Sequence, residues 1–519
     1  MLRTIVRNVL SNWAGYLVSI VVAFFLSPYL VHTLGDKRYG TWTMIVAVTM
    51  YFRLLDLGVY QGVLQYVTRY RAQKQSARIN EIVSTAACVL AVAAGLGILA
   101  SAGLAWVYPK FVPTEGLDIW RIQVALLIVG ASVSLTVFFE MFSGILVACQ
   151  SFHMTNGVKI IFTPIKAGML VWCLSSGMGL IAVAVVTFLV NFLGQLVKLW
   201  LAHREIPGLL IRPHLVSRSA GKELFGYGVW MFLIRVAVLF LTNIDLVIIG
   251  VIYGPLAATY YGIALSLITY AQAAMQGVSF TLIPVAIAGD AMNESWRVQS
   301  VLLRASRFGL IFGGTFFLGF LFWGEEFIAN WMGPEYVSGE TFISTATFLV
   351  IAAAGRVFVG GLMGSGQVLI ATRRVRALSL VSIIGSGVSA GGVYLCAKYV
   401  DPIAAAVAMS AGFLVVTVIK TVYACRATNT GMVTFAREVL LAPLVALSLT
   451  AGACVAIGHL VHTGGWSGFV IRAGLMTLVA AVIGGYLCLK REERRNALRY
   501  VAARFRKRRK PGGEADAIS

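Results

Sequence analysis

Apolar residues fill long runs along this chain, and short polar segments rich in Lys and Arg separate them. A run of 18 or more apolar residues can cross a bilayer as a helix, since about 20 residues at 1.5 Å each cover a hydrocarbon core of about 30 Å. About fourteen such runs occur, at roughly 9–32, 41–67, 82–107, 122–148, 158–177, 179–201, 226–252, 256–288, 308–324, 342–366, 377–397, 402–424, 438–460 and 468–489. The fifth and sixth meet at Ser175-Ser176-Gly177, so thirteen is the neighbouring count. The pattern predicts an all-α polytopic membrane protein.

Seven ionisable residues lie well inside these runs: Arg53, Asp56, Glu140, Lys166, Arg235, Asp245 and Arg356. If all of them faced lipid, the insertion cost would reach roughly 20 kcal/mol, more than the whole stability of most folds. They are therefore expected to face inward. On a 3.6-residue period, Arg53, Asp56 and Tyr60 share one face of the second span, and Gly58 and Gly62 form a small-xxx-small pair on the other. This predicts one helix with a wet side and a packed side. Lys166 follows Pro164 by two residues, where a local break is expected. Asp245 lies about 15 Å along the helix axis from Arg235, near enough to a membrane surface to read as a turn anchor. Arg356 stands beside Gly355 and ahead of Gly360, Gly361, Gly364 and Gly366, a segment able to bend or pack closely. Two readings of the seven compete. They pair off structurally, for instance Arg53 with Asp56, or the cations hold an anionic solute while Asp56, Glu140 and Asp245 act as counter-ions or as proton and sodium carriers.

Composition supports the membrane reading: of 519 residues 59% are hydrophobic and 12% charged, with a mean hydropathy of +0.84. Most of the 42 Lys and Arg fall in segments on the side of the N-terminus, which predicts cytoplasmic termini. The net charge of +21 reflects that bias and is no nucleic-acid footprint. In the tail, Leu498, Val501 and Phe505 recur among basic residues, as in a helix lying on an anionic membrane surface, and a solvated disordered tail is the alternative. The seven cysteines are scattered singly and read as core residues; His459 and His462 read as an exposed loop. No cleavable signal peptide is evident. No metal, phosphate-loop or nucleophile motif stands out, so neither an enzyme nor a cofactor is expected.

The connection from Ala202 to Phe225, about 24 residues long, is the best candidate boundary between halves. Leu34-Gly35 and Tyr39-Gly40 after the first span are loosely echoed by Tyr253-Gly254 and Tyr261-Gly262 after the seventh. The ordered set Leu34-Gly35, Tyr39-Gly40, Asp56-Leu57-Gly58, Arg69, Asp245, Gly250 and Tyr260-Tyr261-Gly262-Ile263-Ala264 resembles the polysaccharide-transporter branch of the multidrug/oligosaccharidyl-lipid/polysaccharide exporter superfamily, which contains the O-antigen and other lipid-linked oligosaccharide flippases. The resemblance implies two six-helix bundles around a central cavity, here 1–201 and 226–424 joined by 202–225, followed by an extra helix pair (425–489) and a basic cytoplasmic tail (490–519). It further implies alternating access and the translocation of an undecaprenyl-diphosphate-linked glycan across a bacterial inner membrane, with membrane lipids and glycan-polymerising machinery as partners. Arg53, Lys166, Arg235 and Arg356 would bind substrate. Many members have twelve spans; a further pair is similar to the arrangement in the lipid II flippase, where it is associated with the lipid tail.

Three classes compete. A lipid-linked oligosaccharide or lipid II flippase requires a cationic midplane and short external loops. A cation-coupled multidrug exporter of the same superfamily requires an acidic, aromatic cavity, against which four buried cations argue. A membrane glycan polymerase or ligase requires a large external domain, and the longest segments available, about Tyr108–Trp120 and Glu325–Thr341, are too short.

Overall fold

Helix α1 (Leu2–Leu34) ends at Gly35, whose φ of 78° suits glycine and few other residues. Then come α2 (Asp36–Thr49), a 3-10 turn (Met50–Asp56), α3 (Val59–Ala72), α4 (Ser76–Phe111), α5 (Ile119–Ala148), α6 (Phe152–Ser175) and α7 (Leu180–Glu205). A connecting strap leads to α8 (Arg218–Ser279), α9 (Ser295–Trp331), α10 (Thr345–Leu362), α11 (Gly364–Ala371), α12 (Val375–Tyr399), α13 (Pro402–Ala427), α14 (Met432–Leu460) and α15 (Gly465–Cys488). This computed structural model describes residues 2–113, 116–279, 292, 294–362, 364–372 and 374–488; the basic tail, 490–519, lies outside the described residues.

Among the described residues 12 helices are long and apolar enough to cross a membrane, or up to 13 with the bent pair Asp36–Asp56 and Val59–Ala72 taken as one span. The expected count of about fourteen is slightly higher, and α8 explains the difference. Its crossing stretch, Phe232–Met275, has 44 residues, about 66 Å of helix and twice the thickness of a hydrocarbon core. At Gly254 the backbone leaves the helical region, with φ 87° and ψ 176°. Across that break Tyr261 of the second limb donates to Asp245 of the first, and Thr242 and Gln272 both meet Arg356. The limbs run side by side, so α8 is a hairpin of two spans. Gly35, with φ 78° and ψ 157°, turns the chain in nearly the same backbone conformation. The echo between Leu34-Gly35 and Tyr253-Gly254 is thus a shared hairpin geometry.

These two hairpins interlock. A Cβ on Gly40 would lie 1.8 Å from the carbonyl oxygen of Pro255, and one on Gly250 would lie 2.5 Å from the sulfur of Met44. Only glycine permits so close a crossing of α2 and α8. Thr259 donates to the carbonyl of Asp36 at 2.6 Å, and Tyr336, in the segment after α9, donates to the Asp36 carboxylate. Burial, then the Asp36 partner, raises the Tyr336 phenol above its ordinary pKa, so it stays a donor. At the same membrane face the indole of Trp331 donates to the carbonyl of Phe24 at 2.8 Å and stacks on its ring. The pair α14 and α15 packs against α9: Arg472 binds Glu326 at 2.6 Å, and Leu447 fills the space over Gly314.

Pro164 lies inside α6 without interrupting it, so the expected break is not seen. The lost backbone donor leaves one carbonyl to be satisfied by adjustment within the turn, which membrane helices tolerate. His459 and His462 are exposed, and the cysteines are free.

Candidate functional site

The expected single helix over 41–67 is broken at its centre. Leu57 (φ 48°) and Gly58 (φ 81°) are both left-handed, and the two parts meet at a 43° bend. A break leaves the first N–H groups of α3 without helical partners. Asp56 Oδ1 accepts one of them, from Tyr60, at 2.9 Å, and its charge lies at the positive end of the α3 dipole. Gly58 therefore serves the turn, and Gly62 packs closely, its Cβ position being 2.9 Å from Leu224.

Arg53 does not pair with Asp56. Its Nη2 donates to both Glu140 oxygens at 3.2 Å, joining the turn to α5, with side chains 38% and 25% exposed. Asp56, 5% exposed at its side chain, is bound instead by Arg235 Nη1 of α8 at 3.2 Å. The Arg235 guanidinium also lies 5.7 Å above the ring of Tyr60.

Asp245 is no surface anchor. It is fully buried at 0% exposure and receives both Arg356 Nη2 and the Tyr261 hydroxyl. Arg356, on the π-helical turn Ala354–Phe358, also donates to the carbonyl of Thr242 at 3.2 Å and faces the ring of Phe413. A π-helical turn shifts the register by one residue and commonly marks a functional position. It is accommodated because Gly355 lies against Ser410, and Gly361 against Gly309, at distances that exclude a side chain.

The structure thus gathers six of the seven expected residues into three cross-helix ion pairs. Lys166, half-buried on α6, joins none of them and has no carboxylate partner among the described residues. Two further lysines were not singled out from the sequence. Lys198 of α7 lies within electrostatic reach of Glu140, Arg53 and Lys159. Lys420 of α13 lines a cavity of about 370 Å³ with Arg356, Gln272, Gln367, Ser365 and Thr417, among others. Among the described residues no carboxylate lines that cavity. Both lysines fall toward the ends of apolar runs, where a lysine reads as an interfacial anchor.

A bundle of membrane helices that turns its charges away from lipid, and surrounds an interior cavity with cationic and amide groups, is the build of a membrane transporter. Comparison narrows the class. The chain belongs to the Polysaccharide biosynthesis protein family, whose profile matches residues 5–289. It is 20% identical over 523 residues to the uncharacterized membrane protein EpsK of Bacillus subtilis (strain 168), spanning 96% of this chain and 98% of that one. It is 22% identical over 263 residues to a candidate O-antigen transporter of Shigella flexneri, covering 50% of this chain and 60% of the relative. In fold it is similar to the lipid II flippase MurJ in an inward closed conformation, with TM-score 0.63, 14% identity, and coverage of 94% of this chain and 98% of that one. It is also similar to a multidrug resistance MATE family transporter of the MOP superfamily in an inward-facing conformation, with TM-score 0.62, 12% identity, and coverage of 80% and 94%. The chain is thus a member of the Polysaccharide biosynthesis protein family with the fold of these transporters.

Proposed function

We propose that this protein is a flippase that moves an undecaprenyl-diphosphate-linked oligosaccharide across the bacterial inner membrane for surface polysaccharide synthesis. The observation that carries the proposal is the cavity beside Arg356 and Lys420, whose polar lining among the described residues is cations, amides and hydroxyls with no carboxylate. A diphosphate entering the membrane gives up hydration and needs fixed donors in return. Sugar hydroxyls are matched by Gln272, Gln367 and Ser365. In this reading residues 1–201 and 226–424 are two bundles that rock about the connection 202–225, with both chain ends cytoplasmic. The seam of Asp36, Tyr336 and Thr259 closes the periplasmic side. Arg53, Lys166, Arg235 and Arg356 offer donors to the substrate, and Asp56, Glu140 and Asp245 are counter-ions. The acids' engagement by arginine argues against a drug-exporter cavity of free carboxylates.

A second reading, lipid II as the glycan carrier, is favoured by the pair α14–α15 together with the likeness to MurJ over nearly the full length of both chains. Expression in two bacterial hosts separates the two, one lacking its O-antigen flippase and one depleted of its lipid II flippase. Restored surface glycan in the first alone supports the proposal; rescue of growth in the second alone replaces it with the lipid II reading.

A further inference from the structure

Charge accounting inside the bundle points away from the arginines. Arg53, Arg235 and Arg356 are each matched by a carboxylate, Glu140, Asp56 and Asp245 respectively, so the three pairs carry no net charge. The positive charge free to draw an anion comes from lysines. Two of these are related by an internal repeat. Helices α7 and α13 are each 26 residues long, and Lys198 and Lys420 stand at the same position counted from Leu180 and Pro402. In the same ungapped register Ile181, Ala184, Val185, Ala202 and Arg204 recur as Ile403, Ala406, Val407, Ala424 and Arg426. Ala202 and Ala424 are both fully buried, so the two helices also pack in the same rotational setting. Both lysines are half-buried, and neither forms an ion pair with a carboxylate among the described residues; Glu140, within electrostatic reach of Lys198, is already bound by Arg53. One turn before each is a polar residue, Gln195, whose buried amide oxygen has no partner among the described residues, and Thr417 on the cavity wall.

We infer that Lys198 and Lys420 are equivalent anion-binding groups, one in each half, that hold the diphosphate of a prenyl-diphosphate substrate at matching depth in the membrane. The inference deepens the function proposed above and rests on it. A diphosphate diester carries one negative charge on each phosphate, and two ammonium groups on strongly hydrated, flexible stems match it, neither being bound by a carboxylate in the way that each arginine is. Equivalent placement lets the ligand lean on either half as the halves exchange positions, so neither state becomes a trap.

The test uses the purified full chain in nanodiscs, titrated with farnesyl diphosphate, and with farnesyl monophosphate and inorganic pyrophosphate as comparators. Wild type binds farnesyl diphosphate most tightly; tighter binding of pyrophosphate would assign the site to a free anion and overturn the prenyl-diphosphate assignment. Lys198→Met and Lys420→Met keep the stem and lose the charge, and each weakens the dissociation constant roughly tenfold or more, since a charge-assisted contact is lost. Lys198→Arg and Lys420→Arg retain most of the affinity. They serve as folded references, and Lys→Gln replaces any Met variant that melts below them. If wild type binds the prenyl diphosphate and the Met and Gln variants bind it equally well, the lysine assignment is overturned while the proposed function stands. If wild type does not bind it, the prenyl-diphosphate assignment of the lysines is overturned, and complementation in the two hosts decides the function separately.

Discussion

The Asp245–Arg356 pair offers the sharpest test of how the bundle is held. Both side chains are at most 4% exposed, and Asp245 Oδ1 and Arg356 Nε have no hydrogen-bond partner among the described residues. Replacing Arg356 by alanine leaves the Asp245 carboxylate buried against the Tyr261 hydroxyl alone. Breaking one side of a buried pair costs about 3–5 kcal/mol, comparable with the stability of a typical fold. Arg356→Ala should therefore reduce membrane abundance several-fold and lower the midpoint of thermal unfolding in detergent. Asp245→Asn, which leaves an arginine facing a neutral amide, should do the same. The double change Arg356→Met with Asp245→Leu removes both charges and restores abundance, because apolar replacement of a whole buried pair is close to neutral. Abundance by quantitative immunoblot and melting by intrinsic fluorescence measure both effects. Single variants that accumulate and melt like wild type would refute the argument, as would a double variant no better than the worse single.

Glu140→Gln releases Arg53, whose side chain is 38% exposed, so the stability cost should be about 1 kcal/mol or less and the melting midpoint should barely move. Gly40→Ala places a methyl group against the Pro255 carbonyl, at a distance of 1.8 Å before relaxation, and should abolish accumulation; Gly95→Ala, with nothing within 4 Å, should be silent in the same immunoblot. Tyr336→Phe removes the hydrogen bond to Asp36, a change of about 1 kcal/mol at the seam. A cysteine at Ala258, buried at 0% in this seam, should then react faster with a maleimide in the purified protein, and an unchanged rate would show that the bond does not hold the seam.

The positions of the interior charges were readable because a charge in an apolar run is conspicuous. Their partners were not. Arg53 and Glu140 are 87 residues apart, Asp56 and Arg235 179, and Asp245 and Arg356 111, separations across which no helical periodicity carries information. The local alternative, Arg53 with Asp56, failed because Leu57 adopts a left-handed conformation that its residue type does not announce. Gly58 was visible, but packing and turning are both glycine uses and only the fold chose between them. Pro164 misled in the opposite direction, a helix breaker absorbed by its surroundings. Lys198 and Lys420 had a signal that went unused: the two 26-residue stretches align without a gap.

The strap between α7 and α8 has a mechanical consequence. Asn80 exchanges hydrogen bonds with the carbonyl of Gly208 and the amide of Leu210, Ser84 with the carbonyl of Leu210 and the amide of Arg212, and Ser217 with Glu81 and Thr85. From Gly208 to Ser217 it is therefore moored to α4 and travels with it as one body. Any swing of α8 against that body takes its fulcrum where the mooring stops, at the first turns of α8, beside the contacts of Tyr70 with Glu223 and of Gly62 with Leu224. What reads along the chain as a slack tether is in three dimensions a segment fixed to α4.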